Sequence, residues 1–438
     1  MSELPTQTET LRLLCLSNGH GEDIIAVRIL EELLSHEGRF DTVALPIVGE
    51  GRAYTQQGIP IIGNVKSMPS GGFVYMDGRE LIRDLQGGLL QLTLTQLRTI
   101  KSWTKHGGLI LAVGDIVPLL FAWLSGANYA FVGTAKSEYY VQDENGTLPR
   151  QSLFARLENW SGSVYLPWER WLMSHPRCKA VFPRDSLTAQ ILQKWSIPAF
   201  DLGNPMMDRL EPATPIDYDA INQQSLTVLL LPGSRSPEAY NNWQQIITAV
   251  TNLSVSSDRP LLFLCAIAPG LSLDRFCQIL ESQNWHRSTL ESDSILIQNL
   301  KSQIQNSEAL TFTQNNASII LTQHAYNECL HLAQVAIAMA GTATEQFVGL
   351  GKPAITFPGK GPQFTYAFAE AQSRHLGASI IFLEHPNQAA SAIQSLLNDP
   401  HRLIQIAENG LRRMGKPGAA PRIAQCLLEK WGCVSLPG

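Results

Sequence analysis

Two apolar runs, each ending in a turn of small residues, constrain this chain more than any other feature. The first is Leu-Leu-Leu-Pro-Gly-Ser-Arg at residues 229–235; the second is Ala-Gly-Thr-Ala-Thr-Glu at residues 340–345, preceded by an apolar run. Each reads as a buried strand, a tight turn and a helix start. Small residues let backbone N–H groups approach an anion closely, and the helix dipole adds partial positive charge there. Gly233, Ser234 and Arg235 on one turn, and Gly341, Thr342, Ala343 and Thr344 on the other, are the candidate phosphate contacts. Arg235 adds a planar fork of donors. Glu345 falls about one turn into its helix, where a carboxylate could accept from ribose hydroxyls; a first-turn acid also stabilises the helix dipole with no ligand at all. Held side by side, the two turns would bind a nucleotide diphosphate.

The rest of the chain alternates strands with helices, the pattern of parallel sheets covered on both faces. At 438 residues it is long enough for two domains. Residues 11–16 read as a strand, 18–21 as a turn, and 22–34 as a helix with Ile25, Ile29 and Leu33 on one face. Further strands are expected at 42–46, 109–113, 129–132 and 180–182, with a helix at 185–194. A polar run with Pro205, Pro212 and Pro215 breaks the pattern. This predicts a first domain over 1–205, a linker over 206–224 and a second domain over 225–438, whose last helix can pack back on the first. Strands of the second series are expected at 227–231, 261–266, 318–321, 335–339, 354–357 and 380–382. Ser236 reads as an N-cap with Pro237 at the first helical position, and Gly351 with Pro353 as the end of a helix over 342–350. Two polar stretches without a clear period, 136–162 and 286–316, read as a border of the acceptor site and as a surface excursion.

The net charge of −5 argues against nucleic-acid binding. Seven scattered cysteines without a CxxC pattern fit a reducing compartment and oppose a zinc site. Residues 1–10 lack the basic and apolar regions of a signal peptide, so a cytoplasmic location is expected, with peripheral contact on the inner face of a membrane left open. Residues 109–132 are apolar enough to suggest a membrane span, but Asp115 near the middle would be costly in lipid; strand, short helix and strand is the expectation. Residues 81–103 read as a core helix, with a membrane-facing helix as the alternative.

Other positions carry possible chemistry. Asn18, Gly19, His20 and Gly21 form a glycine-rich turn after the first strand, but Ile24 stands where a dinucleotide fingerprint needs its third glycine. With Glu22 and Asp23 beside it, the turn suits a sugar or acceptor better than a free phosphate. His20 is either a base or a structural turn residue. Asp115 ends an apolar strand, where α/β sheets carry their sites, and could equally cap the helix that follows. In the loop Pro358-Gly-Lys-Gly-Pro-Gln363, Lys360 could contact a phosphate or sugar and Gln363 sugar hydroxyls; an ordinary loop with a solvated lysine is the alternative. Asp217 and Asp219 mimic a metal-binding DxD, yet lie in the linker, and lysine, arginine and helix dipoles can stabilise a leaving diphosphate alone. No metal and no cofactor are expected.

The motifs Leu231-Pro-Gly-Ser-Arg235, Gly341-Thr-Ala-Thr-Glu345 and Gly351-Lys-Pro353, with Asn18-Gly-His-Gly-Glu-Asp23 and Phe200-Asp-Leu-Gly-Asn-Pro-Met-Met-Asp208, resemble lipid-A-disaccharide synthase and its MurG-like relatives among the GT-B glycosyltransferases. The resemblance implies an α/β fold of GT-B type, two Rossmann-like domains with parallel sheets facing a central cleft, the first for acceptor and the second for nucleotide-sugar donor. It implies that Asp115 is the catalytic base, and that a hexose or N-acyl-hexosamine passes from a UDP-sugar to a lipid-linked acceptor hydroxyl. The segment Tyr129-Ala-Phe-Val-Gly-Thr-Ala-Lys-Ser-Glu-Tyr-Tyr140 departs from the His- and Trp-containing segment of that synthase. A non-hydrolysing UDP-sugar epimerase, or a non-catalytic nucleotide-sugar-binding or partner-binding protein, would carry the same donor turns.

Overall fold

The computed structural model describes residues 10–36, 40–65, 89–149, 158, 160–213, 225–288, 309–361 and 363–432. The chain divides into two compact units, residues 1–208 with 415–438, and residues 209–414. Residues 214–224 of the expected linker, with Asp217 and Asp219, lie outside the described residues, as do 81–88 of the helix expected at 81–103.

The first unit runs β1 (Leu11–Ser17), α1 (His20–Leu34), β2 (Phe40–Pro46), α2 (Arg52–Gln56), α3 (Leu89–Thr104), β3 (Leu109–Gly114), α4 (Ile116–Ser125), β4 (Asn128–Gly133), α5 (Pro167–Ser174), β5 (Cys178–Phe182) and α6 (Ser186–Gln193). Its sheet has the order β2-β1-β3-β4-β5, all parallel. Leu13, Leu14, Cys15 and Leu16 of β1 are fully buried, as a strand covered on both faces requires. A last helix, Ala419–Lys430, belongs to this unit and packs on α1. Asp208 holds its start: the carboxylate accepts from the amides of Gly418, Ala419 and Ala420 at 2.6, 3.0 and 2.7 Å. Three amides on one carboxylate are a strong use of a helix N-terminus.

The second unit runs β6 (Leu226–Leu231), α7 (Glu238–Ser256), β7 (Leu261–Ala266), α8 (Leu273–Ser282), β8 (His286–Arg287), β9 (Leu310–Gln314), β10 (Ala317–Thr322), α9 (Tyr326–Leu332), β11 (Val335–Ala338), α10 (Thr342–Gly349), β12 (Ala354–Thr356), α11 (Tyr366–Leu376), β13 (Ile380–Phe382), α12 (Ala389–Leu397) and α13 (Pro400–Met414). Sheet order is β8-β9-β10-β7-β6-β11-β12-β13. Its core gathers Trp243, Phe263, Phe276, Phe312 and Phe357 around β6 and β7.

Several expectations shift. The helix expected at 22–34 starts at His20, because the Asp23 amide bonds the Gly19 carbonyl at 2.9 Å; His20 and Gly21 are therefore helical. Ser236 is not the cap of α7: the helix starts at Glu238 after Pro237, and the turn is closed earlier by Ala239 N–H on the Arg235 carbonyl at 2.8 Å. The second sheet is not wholly parallel. Residues 310–314, expected in a surface excursion, form a strand antiparallel to β10 and to the two-residue β8. Phe312 and Thr311 of that strand are buried, and burial of one Phe among polar neighbours is too weak a period to read locally. Residues 289–308 of the excursion lie outside the described residues. The apolar stretch 109–132 is strand, helix and strand, as β3, α4 and β4 show. Among the described residues no helix is long and apolar enough to cross a membrane.

Candidate functional site

In the second unit, β6 is the first strand, and the chain places β7 on one side of it and β11 on the other. Such a reversal opens a crevice at the carboxyl ends of the two strands, the usual binding place of open α/β sheets. The two strands that flank it end in residues 232–235 and 339–342, so the turns singled out in the sequence are neighbours. Leu231 pairs with Ala338, and Met339 N–H bonds the Leu231 carbonyl at 2.8 Å. Asn242 of α7 ties the turns together, its side-chain amide donating to the Pro232 carbonyl at 3.0 Å and the Met339 carbonyl at 3.4 Å. Gly233 has φ +99°, and a Cβ there would sit 3.2 Å from the Met339 carbonyl oxygen. Ser234 is exposed and Arg235 half-exposed.

The second turn is built from behind. Gln372 of α11, itself buried, donates to the carbonyls of Ala340 and Gly341 at 3.0 and 3.3 Å. Thr344 is fully buried and its hydroxyl donates to the Ala340 carbonyl at 2.7 Å, so its side chain acts on the turn from inside. Thr342 and Ala343 remain at the first positions of α10, where amides point out of a helix. Glu345 is buried, and its Oε1 lies 3.5 Å from Nδ1 of the fully buried His375.

A third loop, residues 358–364, is pinned to the first. Glu238 accepts from the amides of Gln363 and Phe364 at 3.1 and 2.6 Å, and a Cβ on Gly361 would collide with that carboxylate. Lys360 and Gln363 are exposed on this loop. Lys352, by contrast, serves the fold: its ammonium donates to the carbonyls of Leu330, His331 and Ala333 at the end of α9. Burial pushes its pKa down to about 7 while the three acceptors favour the charge.

The first unit repeats the reversal: β1 lies between β2 and β3. At the carboxyl ends, Asn18 follows β1 and Asp115 follows β3. Asp115 does cap α4, accepting from Val117 N–H at 2.8 Å. The nearby Asn18 side chain favours its charged form. Burial pushes its carboxyl above the usual range and Glu22 adds to this, while the Val117 amide, Asn18 and Lys136 oppose it. Gly114, at φ +138°, leaves the room that Asn18 occupies. Lys136 is buried against Glu169 at 2.6 Å and donates to the Val164 carbonyl at 3.1 Å. Glu22 accepts from Thr134 at 3.3 Å. His20 and Gly21 are exposed in the first turn of α1, and Gly19 is buried before it.

Beneath this end of β1, Tyr54 donates to Ser17 and Ser17 to Asp23, each at 2.6 Å. Burial is the main reason that the Asp23 carboxyl rises to about 7. Sequence reading brought out neither this chain nor Glu238, Asn242, Gln372 and His375. Glu238 reads locally as a dipole-stabilising acid, and the others as ordinary helix residues; their partners are distant in sequence.

No protein-family model matches the chain, nor does any curated protein. Solved structures do. MurG of Acinetobacter baumannii matches with 15% identity over 96% of this chain and 99% of that one, TM-score 0.52. The calicheamicin glycosyltransferase CalG4 matches with 14% identity over 97% and 99%, TM-score 0.57. The UDP-GlcNAc 2-epimerase of Neisseria meningitidis, solved with UDP-GlcNAc, matches with 14% identity over 96% and 100%, TM-score 0.53. At these identities the likeness is one of fold: the chain is a GT-B protein with two Rossmann-like domains.

Proposed function

We propose that this protein is a glycosyltransferase that moves a hexose or N-acyl-hexosamine from a UDP-sugar to an acceptor hydroxyl, lipid-linked as in lipid-A-disaccharide synthase. The observation that carries the reading is the pair of small-residue turns at adjacent strand ends, with buried Glu345 one turn into α10. The amides of Thr342 and Ala343, with Ser234 and Arg235, would hold the diphosphate; Glu345 would hold the ribose. Lys360 and Gln363 would reach the donor sugar. In the first unit, the turn of Asn18, Gly19 and Gly21 would receive the acceptor.

The acceptor oxygen attacks the anomeric carbon, its proton passes to a base, and the bond from that carbon to the diphosphate oxygen breaks. Asp115 is the proposed base, with His20 as the other candidate. A carboxyl held above its ordinary pKa by burial accepts a proton more readily than an exposed one. The departing UDP carries negative charge, which Arg235 and the start of α10 would stabilise with no metal invoked. The protein would then work at the cytoplasmic face of a membrane.

Epimerases of the same fold, such as the Neisseria enzyme, motivate the second reading. UDP-GlcNAc incubated with the protein alone separates the two. An epimerase converts it to a second UDP-sugar with no acceptor present. A transferase releases UDP, slowly with water and fast once an acceptor hydroxyl is supplied. UDP binding without either product would leave a non-catalytic binding protein.

A further inference from the structure

The crevice of the first unit, where β1 and β3 end, is poor in positive charge and rich in acceptor oxygens. Residues 17–23, 114–117 and 133–135 form its rim. These segments contain Glu22, Asp23 and Asp115 and no lysine or arginine. Asp23 is buried beneath, accepting from Ser17 at 2.6 Å. Glu22 and Asp115 are half-buried. The Glu22 carboxylate reaches the end of β4, where it accepts from Thr134. Burial first, and Glu22 as well, push the Asp115 and Asp23 carboxyls above the usual range. Two cations stand behind the end of β4, and both are engaged. Lys136 is buried against Glu169 at 2.6 Å, and Arg184, also buried, donates to the Thr134 carbonyl at 3.0 Å.

A second observation points to the ligand. Asn18 is 6% exposed, and its Oδ1 has no hydrogen-bond partner among the described residues. That oxygen lies over Gly114, where a Cβ would overlap it, and so faces the strand end that carries Asp115. A buried amide oxygen without a donor is costly, and an O–H group brought to the crevice would supply one. A carboxylate or a phosphate dianion brings no donor. Either would also add charge beside Glu22 and Asp115, where partial burial weakens screening.

We propose that the acceptor group is an uncharged polyol, a sugar or glycerol unit with no carboxylate or phosphate on the carbons beside the reacting hydroxyl, and that a neighbouring hydroxyl donates to Asn18. The inference rests on the transferase reading of the same site and adds the chemistry of its acceptor. The reacting O–H passes its proton to the Asp115 carboxylate, the oxygen bonds the anomeric carbon, and UDP departs with the electrons of the broken C–O bond. An ammonium group fits less well: paired with Asp115, it would lower the proton affinity of the base.

The test offers octyl glucoside, octyl glucuronide and octyl glucosaminide to the full-length protein with UDP-glucose and with UDP-GlcNAc, following UDP release and the mass of the product. The glucoside should be used about tenfold better or more, as kcat/KM, than either charged analogue. Glu22→Gln should shrink the handicap of the glucuronide about fivefold. Asn18→Ala should raise KM for the glucoside about five- to tenfold, the scale of one hydrogen bond. The monodeoxy glucoside that lacks the neighbouring hydroxyl should be used alike by Asn18→Ala and wild type, whereas a merely structural asparagine would slow both acceptors. Should Asn18→Ala melt early, Glu22→Gln, at a half-buried position, still decides. The proposal is overturned if a charged analogue is preferred, if Glu22→Gln leaves the glucuronide as poor as before, if Asn18→Ala slows the full and the deoxy acceptor equally, or if a protein that binds UDP uses no glycoside. Calorimetry with UDP separates the failures: without UDP binding the nucleotide-sugar reading falls, and this one with it.

Discussion

Glu345 Oε1 lies 3.5 Å from Nδ1 of His375, and His375 has no exposed surface. Three residues earlier on the same helix, Gln372 holds the carbonyls of Ala340 and Gly341. One face of α11 therefore supports both the proposed phosphate turn and the proposed ribose carboxylate. Gln372→Met keeps the volume and removes the donor. It should weaken UDP binding about five- to thirtyfold, the scale of one or two hydrogen bonds of about 1 kcal/mol. A folded Gln372→Met protein with wild-type UDP affinity by calorimetry would show that the turn does not depend on this support.

Arg235 and Glu345 should separate the two ends of the nucleotide. Arg235→Ala should cost about 1.5–3 kcal/mol in UDP affinity, the range for a hydrogen bond to a charged group, and weaken pyrophosphate as well. Glu345→Gln should weaken UDP about tenfold and leave pyrophosphate nearly unchanged, because only UDP carries a ribose. Equal losses for both ligands in Glu345→Gln would move that residue from the ribose to the phosphates.

Asp115 should matter for turnover rather than for donor binding, since a general base acts in the transition state. Asp115→Asn can still cap α4. Turnover of UDP-sugar should fall by about 10²–10⁴ while UDP affinity stays within a factor of about three. As the burial-raised carboxyl loses its proton, activity should rise with pH, and that limb should vanish in Asp115→Asn. If Asp115→Asn transfers at full rate and His20→Ala does not, the base is His20 and Asp115 is a helix cap alone.

Stability should fall with pH through Asp23. Its folded pKa of about 7 lies above the ordinary 3.8, so the folded protein binds this proton more tightly than the unfolded chain. The resulting stabilisation is fully present below the unfolded value and is lost as pH rises through the folded one. The window is therefore about 4 to 7, and the loss is on the order of 4 kcal/mol at 1.36 kcal/mol per pKa unit. Asp23→Asn keeps an acceptor for Ser17 and should flatten this dependence. Melting at pH 5 and pH 8 checks it: the same drop in both proteins would acquit Asp23.

Much of the fold is legible in the residues. Apolar runs such as Leu226–Leu231 and Leu261–Ala266 are strands because both faces are covered, and the sequence shows that as an unbroken run. Asp115 reads as a cap and is one. The antiparallel β9 was not legible, because its burial depends on the neighbouring strand rather than on its own pattern.

What the sequence by itself determined is local: where strands end in small-residue turns, where helices begin, and that residues 229–235 and 340–345 suit an anion. Backbone geometry and side-chain size settle these over a few neighbouring residues. Only the tertiary structure decided that β6 lies beside β11, that Asn18 stands near Asp115, and that Gln372 and His375 stand behind the second turn. Those are pairings between segments far apart in the chain. They follow from burying whole sheet faces at once, a constraint that no short window of residues contains.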